Sequence, residues 1–312
     1  KMKLKKPKFW DYSKPNLIAY LLLPISILLQ IFKFQQKKEL KNFRIKTICV
    51  GNIYLGGTGK TSLCIKINEF FSKKNIKSCF VKKYYKDQVD EQKLLQSKSE
   101  IFISNNRIDA LQKAELKGYD VAILDDGLQD SSINCDINFV CFNNINWIGN
   151  GLTIPSGPLR ENINNLKKYN HIFLNGNSEN LEMIIKKISE INLNSTVHIG
   201  EYIPLNIDEF DKRDSYIVFS GIGNHHTFVS MIKKYELNIV KEFEYPDHYD
   251  YSEGEINQIC EEAKNLNCKI ITTEKDFFRL NKNIINLDQI KYIKSSLKII
   301  NEEKFINTLT KI

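Results

Sequence analysis

The 312-residue chain is 42% apolar and 26% charged, a globular balance that excludes wholesale disorder at a length that accommodates two domains, each with its own core. Its net charge of +8 is lysine-driven in a sequence rich throughout in lysine, asparagine and isoleucine, so part of the excess reflects overall composition rather than a selected partner. The seven cysteines are scattered with no C-x-x-C pair, which excludes a zinc ribbon or a disulfide framework and reads as buried free thiols in a reducing compartment.

At the start, Lys1, Lys3, Lys5, Lys6 and Lys8 form a basic cluster of the kind that meets anionic lipid or nucleic acid. No nucleic-acid motif accompanies it. Phe9-Trp10 and an uncharged stretch from Pro15 to Phe32 follow, with lysines again at 33, 37 and 38. That stretch falls just short of the ~20 residues a spanning helix needs, and Pro24 interrupts it. A signal peptide, a buried core helix and a helix lying in the membrane interface all remain open. The absence of a small-residue cleavage site disfavours the first, and the basic flanks with Trp10 and Tyr20 favour the third, on an anionic membrane surface.

The run Ile45 to Leu63, IKTICVGNIYLGGTGKTSL, is ordered as strand, glycine-rich turn and helix. Successive backbone N–H groups of Gly56, Gly57, Thr58 and Gly59, with the positive end of the following helix, make an anion cradle. In such a cradle Lys60 reaches the β- and γ-phosphates and the Thr61 hydroxyl ligates Mg²⁺. Tyr54 stands where the G-x-x-x-x-G-K-[ST] spacing has its first glycine.

Apolar runs then alternate with helical patterns. Strands are expected at 76–81, 100–104, 121–124, 137–142 and 172–174, with helices near 91–96, 107–116 and 181–191, which implies a parallel sheet covered by helices on both faces. After an extended connector at 197–205, strands at 215–220, 239–243 and 269–272 alternate with helices near 228–234 and 253–266. The expected fold is therefore α/β: a P-loop NTPase-like sheet over 36–200, a smaller α/β domain over 201–312, and an interfacial helix within 1–35.

Four clusters carry chemistry. Asp125-Asp126-Gly127 ends an apolar strand, where carboxylates opposite a phosphate loop hold Mg²⁺; alone, it is equally an Asp-Gly turn. Ile154 to Glu161, IPSGPLRE, is a rigid turn presenting Arg160, suited to phosphate, and Glu161, suited to a metal or a hydroxyl, or else an ordinary helix start with a first-turn acid. In Tyr245-Pro246-Asp247-His248 the histidine beside a proline turn is by itself more often structural than catalytic. Thr272-Thr273-Glu274-Lys275-Asp276 closes a strand at the end where ligands sit.

In order, GGTGKT, DDGLQ, N-G-x-x-x-P-x-G-PLRE (Asn150 to Glu161), GIGN (Gly221 to Asn224), PDH (Pro246 to His248) and TTEKD resemble the tetraacyldisaccharide 4'-kinases, as do Phe9-Trp10 and Leu22 to Ser26 at the start. The resemblance implies ATP-dependent phosphorylation of the 4'-hydroxyl of a lipid-borne glucosamine disaccharide 1-phosphate in lipid A biosynthesis, by a peripheral enzyme at the cytoplasmic face of the inner membrane. It implies two α/β domains joined by extended strands, with ATP between them and closure assembling the site. By position, Gly56 to Thr61 and Arg160 bind the phosphates, and Thr61, Asp125, Asp126 and Glu161 surround Mg²⁺. Asp90, in Val89-Asp90-Glu91-Gln92 where the family has G-D-E-P, pairs with His248 as the catalytic dyad.

Several positions depart from the family pattern. Lys82-Lys83-Tyr84-Tyr85-Lys86 replaces S-R-G-Y-G, and Lys83 keeps a charge there without an arginine's two-pronged fork. Asp130 stands for a histidine, Cys135 for an arginine, and His225-His226 interrupts the segment after GIGN. A membrane-associated switch that hydrolyses ATP without a sugar acceptor is the alternative that the phosphate loop and anchor fit equally well.

Overall fold

The computed structural model describes residues 6–35, 40–85, 88–176, 180–280 and 289–312, the side chains of 33–35, 89 and 90 excepted. The chain divides into two compact units, residues 1–200 with 299–312, and residues 201–298. The basic residues expected at 1, 3, 5, 37 and 38 and the Lys33 side chain lie outside the described residues.

The larger unit begins with α1 (Leu17–Gln35), which contains Pro24 and is apolar along most of its length. Its Leu17, Leu21, Ile25, Leu28 and Phe32 are exposed, while Ala19 and Ser26 are buried. Among the described residues, no helix is long and apolar enough to cross a membrane. Behind it stand β1 (Lys46–Gly51), α2 (Lys60–Lys73), β2 (Ser78–Lys83), α3 (Val89–Gln96), β3 (Ile101–Ser104) and α4 (Arg107–Leu116). Next come β4 (Val121–Asp125), β5 (Ile137–Asn143), β6 (His171–Asn175), α5 (Leu181–Ile191) and β7 (Thr196–Pro204).

The strands form one eight-stranded sheet in the order β12-β7-β6-β5-β1-β4-β2-β3, with β12 (Ser295–Ile300) as one edge. From β7 to β3 every pairing is parallel. Strands buried on both faces need continuous apolar runs, and KTICVG, SCFVKK and VAILD supply them. Cys79, Val81, Ala122 and Leu124 pack with Ala110, Leu111 and Ala114 of α4, so the alternate residues Phe80, Lys82, Ile123 and Asp125 face the other side, where α2 lies. The order places β1 between β4 and β5, so the chain passes to either side of β1 and leaves a crevice at its carboxyl end.

The smaller unit has β8 (Ser215–Ser220), α6 (His225–Lys234), β9 (Asn238–Glu244), α7 (Glu253–Asn265), β10 (Lys269–Thr273), α8 (Glu274–Arg279) and β11 (Ile290–Ile293). Its sheet, β11-β10-β8-β9, is parallel throughout. A reciprocal capping box between Ser252 and Glu255 starts α7, whose Ile256, Ile259, Cys260 and Ala263 then face the core. Helix α6 begins at His225, three residues before the sequence pattern suggests, because the Asn224 side chain caps it by accepting from the Thr227 N–H.

The final helix, α9 (Glu302–Leu309), returns to the larger unit. Its Phe305 packs on Phe139 and His198, and His171 joins the same ring cluster. Burial, then His171 and Lys304, pushes His198 down to about 3, and burial also lowers His171. The unfolded chain therefore takes up protons below about pH 6.5 that the native His198 refuses, and stability falls as pH drops. For His198 alone the loss from pH 7 to pH 5 is about 2 kcal/mol. Chemical denaturation at the two values should show it, and His198→Phe should flatten the dependence.

Candidate active site

Strand β1 ends at Gly51, and the chain loops back to start α2 at Lys60. Gly59, at the cap position, has φ +76°, a left-handed backbone that a Cβ would strain, and no side chain caps the helix. The first-turn N–H groups of α2 thus have no cap of their own and face the loop as an anion site. The loop is braced from two strand ends. Asn52 Nδ2 donates to Thr58 Oγ1 at 2.9 Å and to the Gly56 carbonyl at 3.3 Å, and Asn175 Nδ2 donates to the Thr58 carbonyl. The Thr58 hydroxyl accepts in this bracing and keeps its own O–H to donate.

Asp125 and Asp126 end β4 beside this loop but face different partners. Asp125 is fully buried; its Oδ2 lies 2.5 Å from Lys82 Nζ and accepts from Thr61 Oγ1 at 3.4 Å, while Oδ1 has no hydrogen-bond partner. Asp126 turns the chain with φ +59°, an arrangement uncommon outside glycine and frequent where strain serves a site. Its N–H donates to the Val50 carbonyl at 2.8 Å, and its own carbonyl accepts from Arg107 Nη2 at 2.6 Å. The side chain meets Arg160 Nη1 at 2.8 Å and Lys60 Nζ at 3.9 Å. Burial would raise the Asp126 carboxyl, but Lys60 and Arg160 outweigh it and hold the group below its ordinary value.

Gln129 links this cluster to the next. Its Oε1 accepts from Arg160 Nη1 at 3.2 Å, and its Nε2 donates to the Asn52 carbonyl at 2.9 Å and to Glu161 Oε1 at 3.1 Å. Glu161 also accepts from Asn165 Nδ2 and Tyr169 Oη. Two networks therefore lie beside the loop of Gly56 to Gly59: Thr61–Asp125–Lys82–Glu91, and Lys60–Asp126–Arg160–Gln129–Glu161.

The segment carrying Arg160 and Glu161 is seated on the N-terminal elements. Ser26 of α1 donates to the Thr153 carbonyl at 2.9 Å and contacts Ser156 Oγ at 2.8 Å, and Ser156 N–H donates back to Ser26 Oγ. Trp10 Nε1 donates to the Pro155 carbonyl at 3.0 Å, and its carbonyl accepts from Asn150 N–H at 2.9 Å. Gly149, at φ +57°, makes room for this approach, since a Cβ there would lie 2.1 Å from the Trp10 oxygen.

In the smaller unit three motifs meet. His248, at φ +58°, donates its N–H to the Gly221 carbonyl, and its Nδ1 lies 3.3 Å from Arg279 Nη2. A guanidinium only donates, so Nδ1 accepts and the ring proton resides on Nε2. Arg279 also donates to the Gly221 carbonyl at 2.9 Å and to Asp276 Oδ1 at 3.2 Å, while Asp276 Oδ2 accepts from Gly221 N–H and Thr273 Oγ1. GIGN, PDH and TTEKD thus converge on one polar knot at the carboxyl ends of β8 and β10.

Asp90 sits in the first turn of α3; its side chain lies outside the described residues, as does Lys86. At the departures, the buried cation is Lys82, whereas Lys83 stands with its ammonium 6.0 Å from the centre of the Tyr85 ring. Asp130 pairs with Arg107 at 3.4 Å and accepts from Ser132, and His225 Nδ1 bonds Ser220 Oγ at 2.7 Å. Sequence reasoning missed Asn52, Lys82, Arg107, Asn175 and Arg279. Arg279 had a signal, since it follows Asp276 by three on a helix face. So did Lys82, a charge in an otherwise apolar strand.

The braced loop, the paired carboxylates at the end of the neighbouring strand and the parallel sheet define a P-loop nucleotide-binding protein. A family model described as tetraacyldisaccharide-1-P 4'-kinase matches residues 18–312. A tetraacyldisaccharide 4'-kinase of Pelagibacter ubique (strain HTCC1062) is 58% identical over 312 residues, covering 100% of this chain and 99% of the relative. One of Rickettsia canadensis (strain McKiel) is 32% identical, covering 97% and 98%. The chain belongs to the tetraacyldisaccharide 4'-kinase family. A solved structure of LpxK from Aquifex aeolicus in complex with ATP is similar with a TM-score of 0.66, at 22% identity and with 95% of this chain and 99% of that one covered, which establishes the shared fold.

Proposed function

We propose that this chain transfers the γ-phosphate of ATP to the 4'-hydroxyl of a tetraacylated glucosamine disaccharide 1-phosphate, a step of lipid A biosynthesis. The full-length match to kinases of that name carries the reading, and the assembly around Lys60 supports it in kind. Phosphoryl transfer asks a protein for positioning and charge neutralisation. The loop amides and Lys60 hold the phosphate tail, and Arg160, steadied by Gln129, faces the transferred group. Thr61 and Asp125 would hold Mg²⁺, and the buried, unpartnered Asp125 Oδ1 fits that role. When bound, the ion would supply positive charge to offset that of the phosphates. Asp126, occupied by two cations, orients Lys60 and Arg160, and Glu161 orients Gln129. Asp90 takes the hydroxyl proton, and His248, its ring set by Arg279 with the proton on Nε2, is the donor suited to steady that carboxylate.

The exposed apolar residues of α1 suit a helix lying in a lipid interface, with the basic cluster before it on anionic headgroups at the cytoplasmic face of the inner membrane. Purified protein given ATP, Mg²⁺ and the tetraacylated disaccharide 1-phosphate in detergent should yield the 4'-phosphorylated lipid and ADP in equal amounts. ADP formation at the same rate without the lipid, and no lipid product, would favour the ATP-hydrolysing switch.

A further inference from the structure

Lys82 lies at the carboxyl end of β2, and the register pairs it directly with Asp125 of β4. Neighbouring residues at the same level of a parallel sheet project to the same face, which here is the face of α2 and the phosphate loop. The Lys82 side chain is only 2% exposed, and its ammonium reaches two carboxylates, Asp125 Oδ2 at 2.5 Å and Glu91 Oε2 at 2.7 Å. Asp125 is fully buried, and Glu91 is 21% exposed on α3, immediately after Asp90. One cation thus ties together three elements: the strand ending in the metal-site carboxylate, the helix bearing the proposed base, and β2 itself.

We propose that Lys82 is a positioning residue of the transfer reaction, holding Asp125 and the start of α3 in one fixed relation through the Asp125–Lys82–Glu91 bridge. By engaging Oδ2 it leaves Oδ1 as the oxygen open to a cation, and by gripping Glu91 it sets the turn of helix that carries Asp90. With its ammonium engaged by two carboxylates and its side chain 2% exposed, Lys82 would act through the geometry of bound reactants and not through their affinity. The inference rests on the kinase reading above.

Removing a buried cation strands its carboxylates, so Lys82→Ala is expected to lose thermal stability as well as activity. Two milder variants keep the idea testable. Glu91→Gln leaves the buried Lys82–Asp125 pair intact, and Lys82→Arg keeps the charge with a longer reach. With folding checked by circular dichroism and a nucleotide Kd measured by fluorescence without Mg²⁺, Glu91→Gln should lower kcat by about 10-fold and Lys82→Ala by about 10²-fold. The KM for ATP and the metal-free Kd should stay within threefold of wild type. Lys82→Arg should restore most of the kcat lost in Lys82→Ala, and Lys82→Ala with Glu91→Gln should lose little more than Lys82→Ala alone, because both break one bridge. A folded Glu91→Gln protein with wild-type kcat, or a folded Lys82→Arg protein no more active than Lys82→Ala, would overturn the proposal. So would a raised KM and Kd at unchanged kcat, which would make Lys82 a nucleotide contact. Failure of the wild-type protein to phosphorylate the lipid would instead strike the kinase reading itself.

Discussion

Lys60→Ala is expected to reduce phosphoryl transfer by about 10³-fold, the largest effect of any single change in the larger unit. The residue opens α2 directly after the left-handed Gly59, and its ammonium is held 3.9 Å from Asp126 by the same carboxylate that holds Arg160 at 2.8 Å. Charge that builds on the transferred group meets a cation already in place, and a preorganised charge in a water-poor site counts for more than one in solvent. Because the loop is braced through Asn52 and Asn175 and not through Lys60, the variant should fold normally and still bind adenosine with wild-type affinity. Steady-state rates with an acceptor lipid, alongside calorimetric titration of adenosine and ATP, check this. Wild-type transfer by the variant would remove the loop lysine from the mechanism.

The second large effect is expected at Asp90 and His248. Asp90→Ala should lower transfer by ~10²-fold or more, as loss of a general base does, while ATP binding is unchanged. His248→Ala should cost a similar factor, and the two changes together should cost little more than either alone if the pair acts as a unit. Any slow ATP hydrolysis in the absence of lipid should survive both substitutions, since water needs no base aimed at a sugar hydroxyl. That contrast separates the kinase from a nucleotide switch, in which the two residues have no part. Arg279→Gln should lower transfer by removing the guanidinium that fixes His248 Nδ1, with ATP binding unchanged.

Much of the larger unit was legible because its signals are local. A β-branched run, three glycines and a Lys-Thr pair specify strand, turn and helix within about twenty residues, and VAILDDG announces a buried strand with carboxylates at its end. What remained hidden depends on register and on distant partners. Nothing near Asn52 or Asn175 says that their amides converge on Thr58. The sequence shows two adjacent lysines at 82 and 83, and only the pleat decides which of them is buried against Asp125. Strands β11 and β12 are short and partly exposed, so their periodicity is weak, and SSLKII would read equally well at the edge of either sheet. The knot around His248 illustrates a middle case. Each motif was visible by itself, but the arginine that joins GIGN, PDH and TTEKD lies just past the last of them.

Ser26 and Trp10 hold the very segment that presents Arg160, with Gln30 Nε2 also 3.5 Å from the Arg160 carbonyl. The greasy helix is accordingly part of the catalytic chassis rather than a detachable tether. On the proposed interfacial seating of α1, the depth of that helix in a bilayer would also set the height of the Arg160 guanidinium, and a lipid-borne acceptor would meet its phosphate donor at a level dictated by the surface they share.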